Sequence, residues 1–229
     1  HSDRASAADT ELSTGRFDRV VTTLANDDLR LQVSNAGGRI ESAELARFAS
    51  RVGEKDPVQL VTMDDRGLLE TSFGDSDLLE TLGAQPFEVV AADARSLTQR
   101  LERGGVELVR RISIDPDGYG GELRLRVVNR GAQTIEPRFE VSLFGRERPT
   151  EALDHFQNAQ LVVSVDGSLE RVLLSGLEVG GMFSGPSRTQ ESYPFGVEWI
   201  GVESQYFLAA VTVDAPRNYE GLQESIVAQ

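Results

Sequence analysis

Apolar and polar side chains alternate with a period of two through most of this chain, and nothing else in the sequence constrains the fold as tightly. Successive residues of a strand face opposite sides, so a run of this kind buries one continuous face only as a β-strand. From Phe17 onward Leu29, Leu31 and Val33 share a parity, as do Leu123, Leu125 and Val127. Val106, Leu108, Ile112 and Ile114 keep one face with Arg110 as the single interruption. Phe139, Val141 and Leu143 repeat the pattern, and so do Leu161, Val163 and Val165. Between the runs stand Asn26-Asp27-Asp28, Asn35-Ala36-Gly37-Gly38, Gly104-Gly105, Asp115-Pro116-Asp117-Gly118, Asn129-Arg130-Gly131 and Asp166-Gly167. Gly, Asn and Asp accept the positive φ that tight hairpins demand. Many short strands joined by such turns predict an all-β, mainly antiparallel sandwich or barrel with at most short helices.

Helical signal is confined to two places. Ser42 to Phe48 fits a short turn or a strand continuation, and Tyr219, Leu222 and Ile226 have the spacing of a brief amphipathic helix. Residues 1–16 (HSDRASAADTELSTGR) hold almost no apolar side chains to offset the cost of ordering and read as a flexible leader. No repeat or low-complexity linker divides the rest, which predicts a single β-sandwich domain over residues 17–229.

Charge and composition remove whole classes of function. The 229 residues include 23 Lys and Arg against 37 Asp and Glu, a net charge of −14, which repels phosphate backbones and anionic headgroups. Nucleic acid is therefore not expected as a partner. The absence of cysteine excludes disulfides, thiol nucleophiles, cysteine zinc sites and iron–sulfur clusters. The longest apolar run, Phe207 to Val211, is far short of the ~20 residues of a membrane-spanning helix. His1 to Gly15 lacks the apolar core of a signal peptide.

Candidate chemistry is thin. Only His1 and His155 can serve as imidazole bases, so a histidine dyad or histidine metal site is not expected. His155 follows Asp154, which could orient it, but no nucleophile motif accompanies it and it reads as an exposed loop residue. Asp115, Asp117 and Glu122 lack the alternating spacing of a calcium loop and read as a hairpin turn. Asp75 and Asp77 read as a solvated acidic loop, and Gly118, Gly120 and Gly121 lack the spacing of a dinucleotide fingerprint. The expectation is no catalytic residue, no cofactor and no metal. Tyr193, Phe195, Trp199, Tyr206 and Phe207 form the densest aromatic group; they could line a groove or interaction surface, and packing of a final strand pair is the ordinary alternative. Lys55 is the only lysine, and Arg138, Arg146 and Arg148 cluster near one strand end.

Four blocks in order carry a family resemblance. Val21 to Ile40, with Gly37-Gly38 leading on to Leu45 and Phe48, resembles the opening of the large periplasmic domain of bacterial YidC-type membrane-protein insertases. Pro57-Val58-Gln59-Leu60 is similar to that family's short strand, and Arg111 to Asn129, with Tyr119 and Asn129, is similar to its long hairpin. Val197 to Ala210, with Trp199 and Tyr206-Phe207, resembles its last strand pair. Gly67 to Gln85 matches no block, and the family domain usually continues further beyond the Tyr-Phe strand than Asp214 to Gln229 does.

The resemblance implies a β-super-sandwich of the galactose mutarotase-like kind, facing the periplasm at the bacterial inner membrane and tethered only through flanking transmembrane helices. It implies a non-catalytic scaffold and interaction surface for Sec translocon accessory subunits or membrane-protein clients. Within the blocks, Gly37-Gly38 would supply a turn, Tyr119 and Phe207 would fill a core, and Asn129 would cap a hairpin. The alternative on the same fold is a carbohydrate-binding or sugar-epimerase protein, and fold alone does not choose between them.

Overall fold

A computed structural model describes residues 18–50, 53, 55–61, 68–74, 86–132, 134, 138–143, 160–173, 190–193, 196–203, 206–212 and 224–227. Its strands are β1 (Val21–Ala25), β2 (Leu29–Ser34), β3 (Ile40–Ala49), β4 (Pro57–Val61), β5 (Leu68–Gly74), β6 (Glu88–Ala92), β7 (Ser96–Arg103) and β8 (Val106–Ile114). They continue with β9 (Gly121–Asn129), β10 (Arg138–Leu143), β11 (Gln160–Val165), β12 (Ser168–Leu173), β13 (Gln190–Tyr193), β14 (Val197–Glu203), β15 (Leu208–Thr212) and β16 (Glu224–Val227). Among the described residues there is no helix, and the strand pairs whose register is defined are all antiparallel. The protein is all-β, as the alternation predicts.

The chain divides into two compact units, His1–Thr62 with Leu69–Val141, and Met63–Leu68 with Ser142–Gln229. The first unit is built on a sheet ordered β1-β2-β3-β5-β10, with β4 added to β3, and a second sheet ordered β6-β7-β8-β9. Leu24, Leu29, Leu31, Val33, Ile40, Ala43 and Leu45 of the first sheet are buried, and so are Leu97, Leu108, Ile112 and Ile114 of the second. At about 1.5–3 kcal/mol for each large aliphatic side chain removed from water, this interior is the main stabilising term. The turn residues sit where the sequence places them. Gly104 and Gly105, at φ 59° and 80°, close the β7–β8 hairpin with two positive-φ residues, the geometry that keeps a right-twisted pair in register. Asn26 Oδ1 accepts the N–H groups of Asp28 and Leu29 at 2.8 and 2.7 Å, turning β1 into β2. Asn129 Oδ1 accepts the Gly131 N–H at 2.9 Å and so caps the end of β9.

The second unit holds a sheet ordered β12-β11-β14-β15 and a two-stranded sheet of β13 and β16. Val162 and Val163 of the central strand β11 are buried. Ser164 donates to Glu198 Oε2 at 2.6 Å, and Arg171 of β12 reaches across β11 to Glu203 of β14 at 2.9 Å.

Three local expectations come out differently or are resolved. Ser42 to Phe48 is a strand continuation within β3. Ile226 lies in β16, paired with Glu191, and is not in a helix; cross-strand hydrogen bonding to β13 overrides the weak helical spacing, while Tyr219 and Leu222 lie outside the described residues. Tyr119 does not fill a core. It is 46% exposed on the loop between β8 and β9, its ring 6.0 Å from that of the exposed Phe48. The leader, His155, the Asp75–Asp77 loop, Arg146 and Arg148 also lie outside the described residues.

Candidate functional site

The parity of β8 points Arg110 inward between Leu108 and Ile112, and the side chain is fully buried. What alternation marks as an interruption of an apolar face is the centre of a polar network inside the first unit. Arg110 Nη1 donates to Gln99 Oε1 at 2.9 Å and Nη2 to the Leu69 carbonyl at 2.9 Å. Gln99 in turn donates to the Ser34 carbonyl at 3.1 Å, so the network joins the two sheets. Nε has no partner among the described residues, and no carboxylate faces the guanidinium in these bonds. Burial therefore pushes Arg110 down to about 9, which still leaves it charged near neutral pH.

Two backbone features hold that charge. Gly38, at φ 66°, passes against the guanidinium so closely that a Cβ would collide with Nη1. Leu69 itself adopts φ 55°, a left-handed conformation costly for a bulky side chain. That geometry is kept where Arg110 binds its carbonyl. The Gly37-Gly38 turn is thus required twice, for its positive φ and for the space it leaves.

The Asp115–Gly121 loop is a tied hairpin turn. Asn26 donates to the carbonyls of Asp115 and Gly118 at 2.9 and 3.0 Å, and the Gly118 N–H donates to the buried Asp28 at 2.8 Å. Asp28 also pairs with Arg47. Two more buried carboxylates are met by arginines at the rim: Glu41 by Arg19 and Arg39, and Glu107 by Arg130 at 3.3 Å and Arg126 at 4.0 Å. Burial alone would raise the Glu41 carboxyl, but hydrogen bonds and charge from Arg19, with further bonds from Arg39 and Ser34, outweigh it and hold the group below its ordinary value. Among the described residues no group of three His, Asp or Glu stands close enough to hold a metal ion.

The aromatic group is spread out. Trp199 is half-buried in β14, opposite Thr212 of β15 and Ser164 of β11. Tyr206 is 76% exposed and Phe207 half-buried, both just before β15 at the Glu203–Leu208 end of the same hairpin. Four residues of strand, about 13 Å, lie between that end and Trp199. Tyr193 belongs to β13 on the two-stranded sheet, and Phe195 lies outside the described residues. The hairpin therefore brings Tyr206 and Phe207 together and keeps Trp199 apart from them.

Sequence reasoning missed the outer edge of that hairpin. Among the described residues β15 ends its sheet; it reads Leu-Ala-Ala-Val-Thr without a charge or proline, and exposes Leu208 beside Tyr206. An edge of that kind offers unpaired backbone groups to an added strand. The absence of charge over five residues in an acidic chain was the signal available.

Comparison with known proteins gives the architecture its family. The model of the YidC periplasmic domain matches residues 21–227, and the chain belongs to that family. The membrane protein insertase YidC of Janthinobacterium sp. (strain Marseille) is 23% identical over 211 residues, covering 87% of this chain and 36% of the relative. The chain thus spans about a third of that relative's length. A crystal structure of a provisionally assigned aldose 1-epimerase from Escherichia coli K12 shares the fold, with a TM-score of 0.51 and 13% identity over 82% of this chain and 74% of that one. At that identity the likeness speaks for the galactose mutarotase-like fold alone.

Proposed function

We propose that this chain is the non-catalytic, periplasm-facing domain of a YidC-type insertase of the bacterial inner membrane, acting as a scaffold and protein-interaction surface. The observation that carries the reading is the family match across residues 21–227. Partners of the expected kind are accessory subunits of the Sec translocon or membrane-protein clients in extended conformation. The uncharged β15 edge, with Tyr206 and Leu208 exposed at its start, supports strand addition as the mode of contact.

Capture of Sec accessory subunits by the purified chain tests the interaction role, and failure at high concentration would leave only a spacer. The gene offers a second test, since one hydrophobic helix is expected upstream of these residues and several downstream. Their absence would remove the insertase reading. Sugar epimerisation on this fold calls for an acid/base pair, whereas the chain has one histidine beyond His1. Robust mutarotation lost in His155→Ala would favour the enzyme instead.

A further inference from the structure

The stretch of chain from β7 to β9 is richer in arginine than in acid. Residues 95–130 carry eight arginines, one of them the buried Arg110, against five acidic side chains, a net +3 in a chain whose total is −14. In the β8–β9 pairing Arg111 stands directly opposite Arg124, and both are exposed. Like charges facing each other across an antiparallel pair weaken a sheet, so pairing energy gives no reason for them. Arg124 Nε is held by Glu122 Oε1 at 2.6 Å. Arg111 makes no ion pair among the described residues and acts on Asp93 only through its charge.

Arg111, Arg124, Ser113 and Glu122 together line a polar depression of about 140 Å³. A water takes about 30 Å³ of liquid, so the space suits about four waters or one tetrahedral oxyanion. A planar carboxylate is satisfied by one guanidinium fork, whereas a tetrahedral anion has enough oxygens for two facing forks and a hydroxyl. Glu122 adds a selection. An acceptor carboxylate in the lining repels a fully ionised anion but takes a hydrogen bond from a P–OH group. Phosphate monoesters keep that proton part of the time near neutral pH, with a second pKa of about 6, whereas sulfate and phosphodiesters have none to give.

We infer that Arg111, Arg124, Ser113 and Glu122 form a binding site for inorganic phosphate or a phosphate monoester. The two arginines and the serine donate to its oxygens, and Glu122 accepts from its hydroxyl. The inference does not depend on the insertase reading.

Titration of the folded chain with inorganic phosphate and, at equal ionic strength, with sulfate tests it, read by calorimetry and by the NMR signals of the arginine Nε–H groups. Saturable binding of phosphate severalfold tighter than sulfate is expected. Arg111→Gln and Arg124→Gln should each weaken it about fivefold, the range of an exposed charge pair. Glu122→Ala, which removes the acceptor, should abolish the preference over sulfate, and Arg103→Gln, a charge change elsewhere on the sheet, should leave binding unaltered. Equal binding of the two anions by the unaltered chain, or phosphate binding indifferent to Arg111→Gln and Arg124→Gln, would overturn the site. Binding to phosphatidylglycerol vesicles through these arginines, with none to free phosphate, would overturn the monoester assignment in favour of a diester headgroup.

Discussion

Strands β9 and β15 each close one side of a four-stranded antiparallel sheet, and they manage their exposure in opposite ways. β9 sets Glu122, Arg124 and Arg126 outward, and solvated charges on an edge oppose the docking of another strand. β15 carries no charge at all and exposes Leu208. Their supports differ too. Behind β9 runs the Arg110 network that ties its sheet to Leu69 and Ser34, whereas the pair β14–β15 rests beside the buried Val162 and Val163 of β11. One edge is closed by charge over a cross-linked interior, and the other carries no charge and ends its sheet among the described residues.

The contrast breaks at once if Arg110 does not hold the β9 side. Arg110→Ala leaves a cavity and orphans Gln99 Oε1 and the Leu69 carbonyl, so a loss of about 3 kcal/mol is expected from the urea midpoint. A loss under about 1 kcal/mol would show the network to be incidental. Gly38→Ala is expected to cost about 2 kcal/mol, combining positive-φ strain with the clash against the guanidinium. Because part of that cost is the clash, the double variant Gly38→Ala with Arg110→Ala should lose clearly less than the two separate losses combined.

The open edge is probed more gently. Ala210→Lys in β15 is expected to change stability by less than about 0.5 kcal/mol, as for other exposed positions, yet to abolish capture of a strand-adding partner. Arg126→Ala on β9 should leave capture intact, and the reverse result would exchange the roles of the two edges.

The smallest effect is in acid. Glu41 has a folded pKa below its unfolded value, so its ionised form stabilises the fold at pH above the unfolded value. That contribution is lost as pH falls through the folded value. The urea midpoint should therefore decline as pH falls through and below the ordinary carboxyl range, and Glu41→Gln should flatten the decline. An unchanged acid limb in the variant would show that Arg19 and Arg39 do not stabilise the carboxylate.

Much of this was legible beforehand, for local reasons. Alternation specifies strands because a one-residue slip would turn the whole apolar set outward, and Gly104-Gly105 and Asp166-Gly167 specify hairpins because few residues tolerate φ above zero. Arg110 shows where local reasoning stopped. Parity alone assigns it to the inner face, but a charged residue there reads as an error in the pattern until Gln99 and Leu69 are seen beside it. Arg111 and Arg124 are 13 positions apart, and only the register of β8 on β9 makes them neighbours. The aromatic group failed in the opposite sense, since nearness in sequence suggested one patch while strand length separates Trp199 from Tyr206 and Phe207.

That this chain is all-β, where its hairpins turn and which family its ordered blocks belong to can be read along the chain, because each rests on the chemistry of neighbouring residues. Tertiary structure alone decided which charge is buried, which arginines face each other and which edge is left uncharged at the end of a sheet. Those depend on register and layer packing, which bring together residues that local propensity does not relate.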